Sequence, residues 1–171
     1  LAASGALFVG CCALFALLQS NPWPVVLSLP VLAWICAYGL FKRFTMLCHV
    51  WLGASLAISP VAAALAVRPE AVTGAAPWLL AGAVLLWVAG FDVLYACQDE
   101  AFDRAHGLKS IPVRFGIAGA LRLSRLLHVA TIAAMVSIAL VLPLGPIYLM
   151  GVAVVAVLLA FRSTSATCCA R

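Results

Sequence analysis

The stretch FDVLYACQDEAFDRAHGLKS, Phe91 to Ser110, holds four of the five acidic residues in the chain, namely Asp92, Asp99, Glu100 and Asp103. Only Glu70 lies elsewhere. The cluster follows directly on an apolar run, PWLLAGAVLLWVAGF, so charge gathers where the sequence has just been at its most hydrophobic. What surrounds the chain decides how that juxtaposition is tolerated.

Of 171 residues, 67% are hydrophobic and 9% are charged. A soluble domain carries about 25% charged residues, and so few charges cannot cover a water-facing surface. The apolar runs are apolar all round, with no polar stripe for solvent. These features predict an all-α fold, a polytopic membrane helical bundle with the lipid bilayer as its solvent. The start has no basic n-region and no recognisable cleavage site, so it does not read as a secretory signal.

Six apolar segments are read, at about 2–19, 25–41, 47–67, 77–97, 121–142 and 146–161. Ser20-Asn21-Pro22, Lys42-Arg43, Arg68-Pro69-Glu70 and Pro143 with Gly145 punctuate them. Pro30 falls inside the second, which a membrane helix tolerates. The sixth lies near the lower limit for a span, roughly 17–25 residues. With a cytoplasmic N-terminus, nine of the ten basic residues fall inside: Lys42, Arg43, Arg104, Lys109, Arg114, Arg122, Arg125, Arg162 and Arg171. Arg68 alone falls outside. This is the bias of the positive-inside rule, and Arg122 and Arg125 are read as opening the fifth helix. The net charge of +5 therefore reports orientation. No nucleic-acid motif accompanies it, and no nucleic-acid partner is expected. Trp23, Trp51 and Trp78 fit an interfacial belt. The seven cysteines lie mostly in apolar runs, where a thiol packs as a small hydrophobe, and none has a partner at zinc spacing.

Placed on one helix, Asp92, Tyr95, Asp99 and Asp103 share an arc of roughly 80° at 3.6 residues per turn. Glu100 points elsewhere. Like charges at i,i+4 repel, so something positive must face the ridge. One reading pairs it with Arg104, Lys109 and Arg114. The other takes an ionisable residue inside a span, Asp92, as functional, and the carboxylates as oxygen ligands for a hard divalent cation. Mg2+ takes one or two carboxylates and shares itself with phosphate, so the pattern reads as half of a metal–diphosphate site. Gly107 is a good helix terminator. Lys109, Ser110 and Arg114 beyond it either reach phosphate oxygens or merely carry positive-inside bias. His106 is read as a cap-region residue, His49 as a cavity-lining residue and His128 as packing; none is assigned to the site.

DVLYACQDEAFDRAHGLKSIPVRFG resembles the second aspartate motif of the UbiA superfamily of intramembrane prenyltransferases, through Asp92, Tyr95, Asp99, Asp103, Gly107, Ser110, Pro112 and Gly116. YGLFKRFTMLCHVWLGASLAISP, Tyr38 to Pro60, looks like the family's loop between its fourth and fifth helices, with Lys42, Arg43 and Thr45. The resemblance covers about 1–161, looks closest to the bacterial 4-hydroxybenzoate polyprenyltransferase-like branch, and leaves 162–171 as an atypical polar tail.

The resemblance implies nine spans around a central cavity, of which this chain holds the third to the eighth. A first acidic motif, NDxxD, would precede Leu1, and a ninth helix would follow in place of RSTSATCCAR. The implied chemistry is Mg2+-dependent transfer of a polyprenyl group from polyprenyl diphosphate to a small aromatic acid, in ubiquinone or menaquinone biosynthesis at the bacterial inner membrane. Asp99 and Asp103 would be metal ligands, with Asp92 a ligand or just behind them. Tyr95 would bond the diphosphate or orient a carboxylate. Lys42 and Arg43 would hold the leaving diphosphate or the acid's carboxylate. A non-catalytic membrane fragment and a cation-transporter-like protein stand as the alternative readings.

The orientation is directly testable. A phosphatase active only outside the cytoplasm is expected to work when fused after Asn21 or Gly145, and to be silent after Thr45 or His106. The reverse pattern would overturn the assignment.

Overall fold

The computed structural model describes residues 2–169, with side chains described as far as Phe161. Seven α-helices follow in order: α1 Ala2–Gln19, α2 Trp23–Phe44, α3 Cys48–Val67, α4 Ala75–Ala96, α5 Glu100–Ala105, α6 Ile111–Val141 and α7 Pro146–Cys169. A single 3-10 turn, Pro69–Thr73, joins α3 to α4. The described residues contain no strand. The first four and α6 are long and apolar enough to cross a membrane. The sixth expected segment, Pro146–Phe161, is a shorter apolar stretch, and its helix runs on through Cys169. The side chains of Arg162, Cys168 and Cys169, and Arg171 altogether, lie outside the described residues.

The helices start where the sequence frees backbone groups from partners. Proline near the first turn of α2 and α6 costs no hydrogen bond there, because those amides are unpaired in any helix. Asn21 is buried and works in two directions. Its Oδ1 accepts from the Trp23 amide at 3.1 Å, capping α2, and its Nδ2 donates to the Leu65 and Ala66 carbonyls at 2.8 and 2.9 Å, closing the end of α3.

Helix α4 packs between α3 and α6. Small residues permit this, as is usual where lipid gives helices no hydrophobic reason to associate. A Cβ on Gly53 would stand 2.5 Å from the Leu85 carbonyl oxygen, so α3 meets α4 backbone to side-chain-free backbone. On the opposite side, Ser124 Oγ of α6 donates to the Gly90 carbonyl at 2.7 Å. Ala89, Val93 and Ala120 are fully buried in this layer.

Two expectations need correction. The carboxylate ridge does not ride one helix: α4 stops at Ala96, a turn carries Cys97 to Asp99, and the short α5 restarts at Glu100. Its cause is local, since the Gln98 and Asp99 amides bond back to Tyr95 and Ala96, in tight turns. Second, α6 begins ten residues earlier than the segment read at 121–142, so Arg122 and Arg125 do not open it. Its first turns carry Pro112, Arg114 and Gly116, which lowers their hydropathy and hid them. Gly116 adopts φ 70°, ψ 167° and kinks the helix. The terminator at Gly107 behaves as expected. Its φ of 65° lets the Leu108 amide reach the Asp103 carbonyl at 2.9 Å and its own amide reach Arg104, a Schellman closure of α5.

The α3–α4 contact yields a paired test. Gly53→Ala forces backbone apart and is expected to destabilise by about 1–3 kcal/mol. Gly82→Ala, where an added methyl meets nothing within 4 Å, is expected to be neutral or slightly stabilising. Unfolding in mixed detergent micelles measures both, and equal effects would refute the close packing.

Candidate functional site

The loop after α2, the start of α3, the end of α4, the short α5 and the start of α6 converge at one end of the bundle. Three contacts between distant segments fasten them. Lys42 Nζ stands 2.8 Å from Asp103 Oδ1. The Lys109 amide donates to the Lys42 carbonyl at 2.9 Å. His49 Nδ1 lies 2.7 Å from Asp92 Oδ2.

Asp103 is the most constrained of these groups, at 0% exposure, while the Lys42 side chain remains 30% exposed. The ammonium sits near Oδ1 but off the hydrogen-bond line, and Oδ2 has no hydrogen-bond partner. A buried carboxylate is ordinarily surrounded by donors. Here one oxygen is left with capacity to accept. Ser110 Oγ is in the same condition, buried and unbonded.

Asp92 is held differently. Its partner His49 is 2% exposed, on α3, and the Ile111 amide at the head of α6 reaches the other ring nitrogen at 3.3 Å. Cys48, 1% exposed, directs its thiol to the Lys109 carbonyl at 3.8 Å.

The remaining expected residues are more open. Asp99 is exposed in the turn that starts α5, one helical turn before Asp103, whose amide bonds the Asp99 carbonyl at 2.8 Å. Tyr95 is 53% exposed, and its ring meets Phe91 with centroids 6.1 Å apart. Arg104 pairs with Glu100, not with the other acids. Arg43, Lys109 and Arg114 are exposed, with no ion pair among the described residues. The Arg114 guanidinium stands 5.9 Å above the Phe115 ring.

Asp92, Asp99 and Asp103 thus form no three-carboxylate cage. Among the described residues no three His, Cys, Asp or Glu side chains gather as a metal site. What remains fits Mg2+ on its usual terms of one or two carboxylates with water and phosphate. Asp103 keeps an unbonded oxygen, and Asp99 is open one turn away. The sequence reading missed His49 as a member of the site. The signal was present, since Asp92 inside an apolar span requires a polar partner and His49 is the one histidine, lysine or arginine on the facing helix α3.

The sequence profile of the UbiA prenyltransferase family matches residues 1–168. A 4-hydroxybenzoate octaprenyltransferase of Nitrosospira multiformis is 35% identical over 147 residues, covering 81% of this chain and 47% of that protein. One from Alkalilimnicola ehrlichii is 34% identical over 158 residues, covering 91% and 53%. The chain therefore spans about half the length of these curated relatives. The solved apo structure of a UbiA homolog from Aeropyrum pernix K1 superposes with a TM-score of 0.87 at 34% identity, over 96% of this chain and 60% of that one.

Removing Lys42 isolates a buried charge. Lys42→Ala is expected to destabilise, though by less than the roughly 3–5 kcal/mol of a fully buried pair, because water reaches the lysine. Asp103→Leu added to it should recover most of the loss. A thermal melt of each variant in detergent checks this, and an additive double variant would show that the two do not interact.

Proposed function

The chain belongs to the UbiA prenyltransferase family, and on that premise we propose that the protein it comes from transfers a polyprenyl group from polyprenyl diphosphate to a small aromatic acid. The acceptor best supported is 4-hydroxybenzoate, because the curated relatives are named as 4-hydroxybenzoate octaprenyltransferases. A naphthoate-type acid, the menaquinone-pathway acceptor, is the alternative the assay below includes. The observation carrying the reading is the Lys42–Asp103 contact. It joins the two motif regions of the sequence at the end of the bundle that is rich in bases.

In this reading Asp103 and Asp99 hold Mg2+, and Asp92 stands behind them. When bound, Mg2+ supplies charge neutralisation for the departing diphosphate. Lys42 and Arg43 grip the diphosphate or the acceptor's carboxylate, and their positive charge favours the leaving group more as its negative charge grows. Lys109, Ser110 and Arg114 flank the same mouth and bind phosphate oxygens. Ser110 suits this role because its hydroxyl is buried without a protein partner. Tyr95, exposed near the bilayer edge, closes over the diphosphate. The apolar walls of α3, α4 and α6 take the isoprenoid tail and keep water from quenching the allylic cation.

The wider setting follows from charge. The chain is multi-pass by its apolar helices, and the bias of its basic residues supports the reading of a cytoplasmic N-terminus; a bacterial inner membrane is the setting we infer from the bacterial relatives.

The test uses the chain joined to a segment that supplies an NDxxD motif, in membranes with labelled polyprenyl diphosphate and either acid. Asp99→Ala and Asp103→Ala are each expected to lower turnover by at least about a hundredfold, with Mg2+ required. Undiminished transfer in both variants would sink the assignment. Transfer to the naphthoate alone would move the acceptor and leave the site intact.

A further inference from the structure

His49 touches three helices at once. It belongs to α3, its Nδ1 lies 2.7 Å from Asp92 of α4, and its Nε2 receives the Ile111 amide of α6 at 3.3 Å. The side chain is 3% exposed, so water competes for neither nitrogen. An amide N–H can bond Nε2 only if that nitrogen keeps its lone pair. The ring proton therefore sits on Nδ1 and is donated to Asp92 Oδ2. The Ile111 amide is one of the orphan donors at a helix start, and Ser110, in the capping position, makes no side-chain bond to replace it.

We propose that His49 is a positioning residue for the metal–diphosphate site: it fixes the Asp92 carboxylate in one orientation and ties it to the phosphate-binding loop of Lys109, Ser110 and Arg114. With Oδ2 committed to His49, Oδ1 is the Asp92 oxygen left for cation or water. The Asp92 side chain is 20% exposed, so that side is not sealed. The same imidazole anchors the amide immediately after Ser110. A displacement of Asp92 is thereby transmitted to the loop through one ring, with no intervening flexible side chain. The inference rests on the metal reading given above and adds to it a residue that does not touch metal or substrate.

The chemistry singles out a conservative replacement. Glutamine can donate its amide N–H to Asp92 and accept from Ile111 through its carbonyl, reproducing both bonds. Leucine keeps the volume and loses both.

Mg2+ binding to the full-length protein in detergent, measured by calorimetry without any prenyl substrate, separates the possibilities. His49→Leu is expected to weaken binding by about 10–100-fold, the usual effect of losing a group that orients a metal ligand. His49→Gln is expected to return to within about threefold of wild type. Asp99→Ala and Asp103→Ala serve as reference. If they weaken Mg2+ binding and His49→Leu does not, the positioning role is wrong and the site stands. If none of the variants affects it, both readings fall. An equal loss in His49→Leu and His49→Gln would assign His49 to packing alone and overturn the proposal. Should His49→Leu not fold, nitrogen NMR of histidine-labelled wild type decides instead. A proton on Nδ1 whose resonance moves on adding Mg2+ supports the role, and a proton on Nε2 refutes it.

Discussion

A carboxylate with no solvent exposure is the constraint around which this end of the molecule is organised. Asp103 is expensive to bury, and the neighbourhood reflects that cost. Lys42 is brought from the end of α2, 61 positions upstream, to face it. The Lys42 carbonyl in turn takes the Lys109 amide, and the Asp103 carbonyl takes the Leu108 amide. The loop between α5 and α6 is thus stitched to both members of the ion pair through its backbone. Its lysine, Lys109, is exposed and makes no ion pair among the described residues. Glycine at 107 makes this geometry possible, because the chain must turn through a left-handed conformation immediately after α5.

A second polar pair, His49 with Asp92, repeats the logic deeper in the bundle. Both pairs join helices distant in sequence, and both place an acid of the Asp92–Asp103 stretch against a partner from the Lys42–His49 stretch. Away from these pairs, the α3–α4 and α4–α6 contacts rely on Gly53, Ala89, Gly90 and Ser124, which bring backbones close. Polar pairs at one end thus set the register of helices whose apolar faces alone would permit sliding.

The membrane class, five of the spans and the identity of the motif were legible because hydropathy, charge asymmetry and residue spacing are local properties. Gly107 and Asn21 were also readable as punctuation, since turn chemistry acts over a few residues. The break after Ala96 was not. The spacing of Asp92, Tyr95, Asp99 and Asp103 satisfies a helical period, and only the bonds of the Cys97–Asp99 turn reveal that α4 has ended. The start of α6 was hidden for the opposite reason, as its first turns are too polar to register as a span. His49 escaped because its meaning depends on what stands across the helix–helix contact. A single sequence gives no direct sight of that neighbour.

Helix α2 is fastened at both extremities. Asn21 ties its beginning to the last carbonyls of α3, and Lys42 ties its end to Asp103. Pinned at its ends, the helix cannot slide without breaking one of these ties, and between them Trp34 and Phe41 stack on Trp51 of α3. Pro30 lies between the pins and lacks the amide that would bond the preceding turn. Bending of α2 therefore costs least at Pro30, and any swing of Lys42 about it must carry Trp34 and Phe41 past Trp51 of α3.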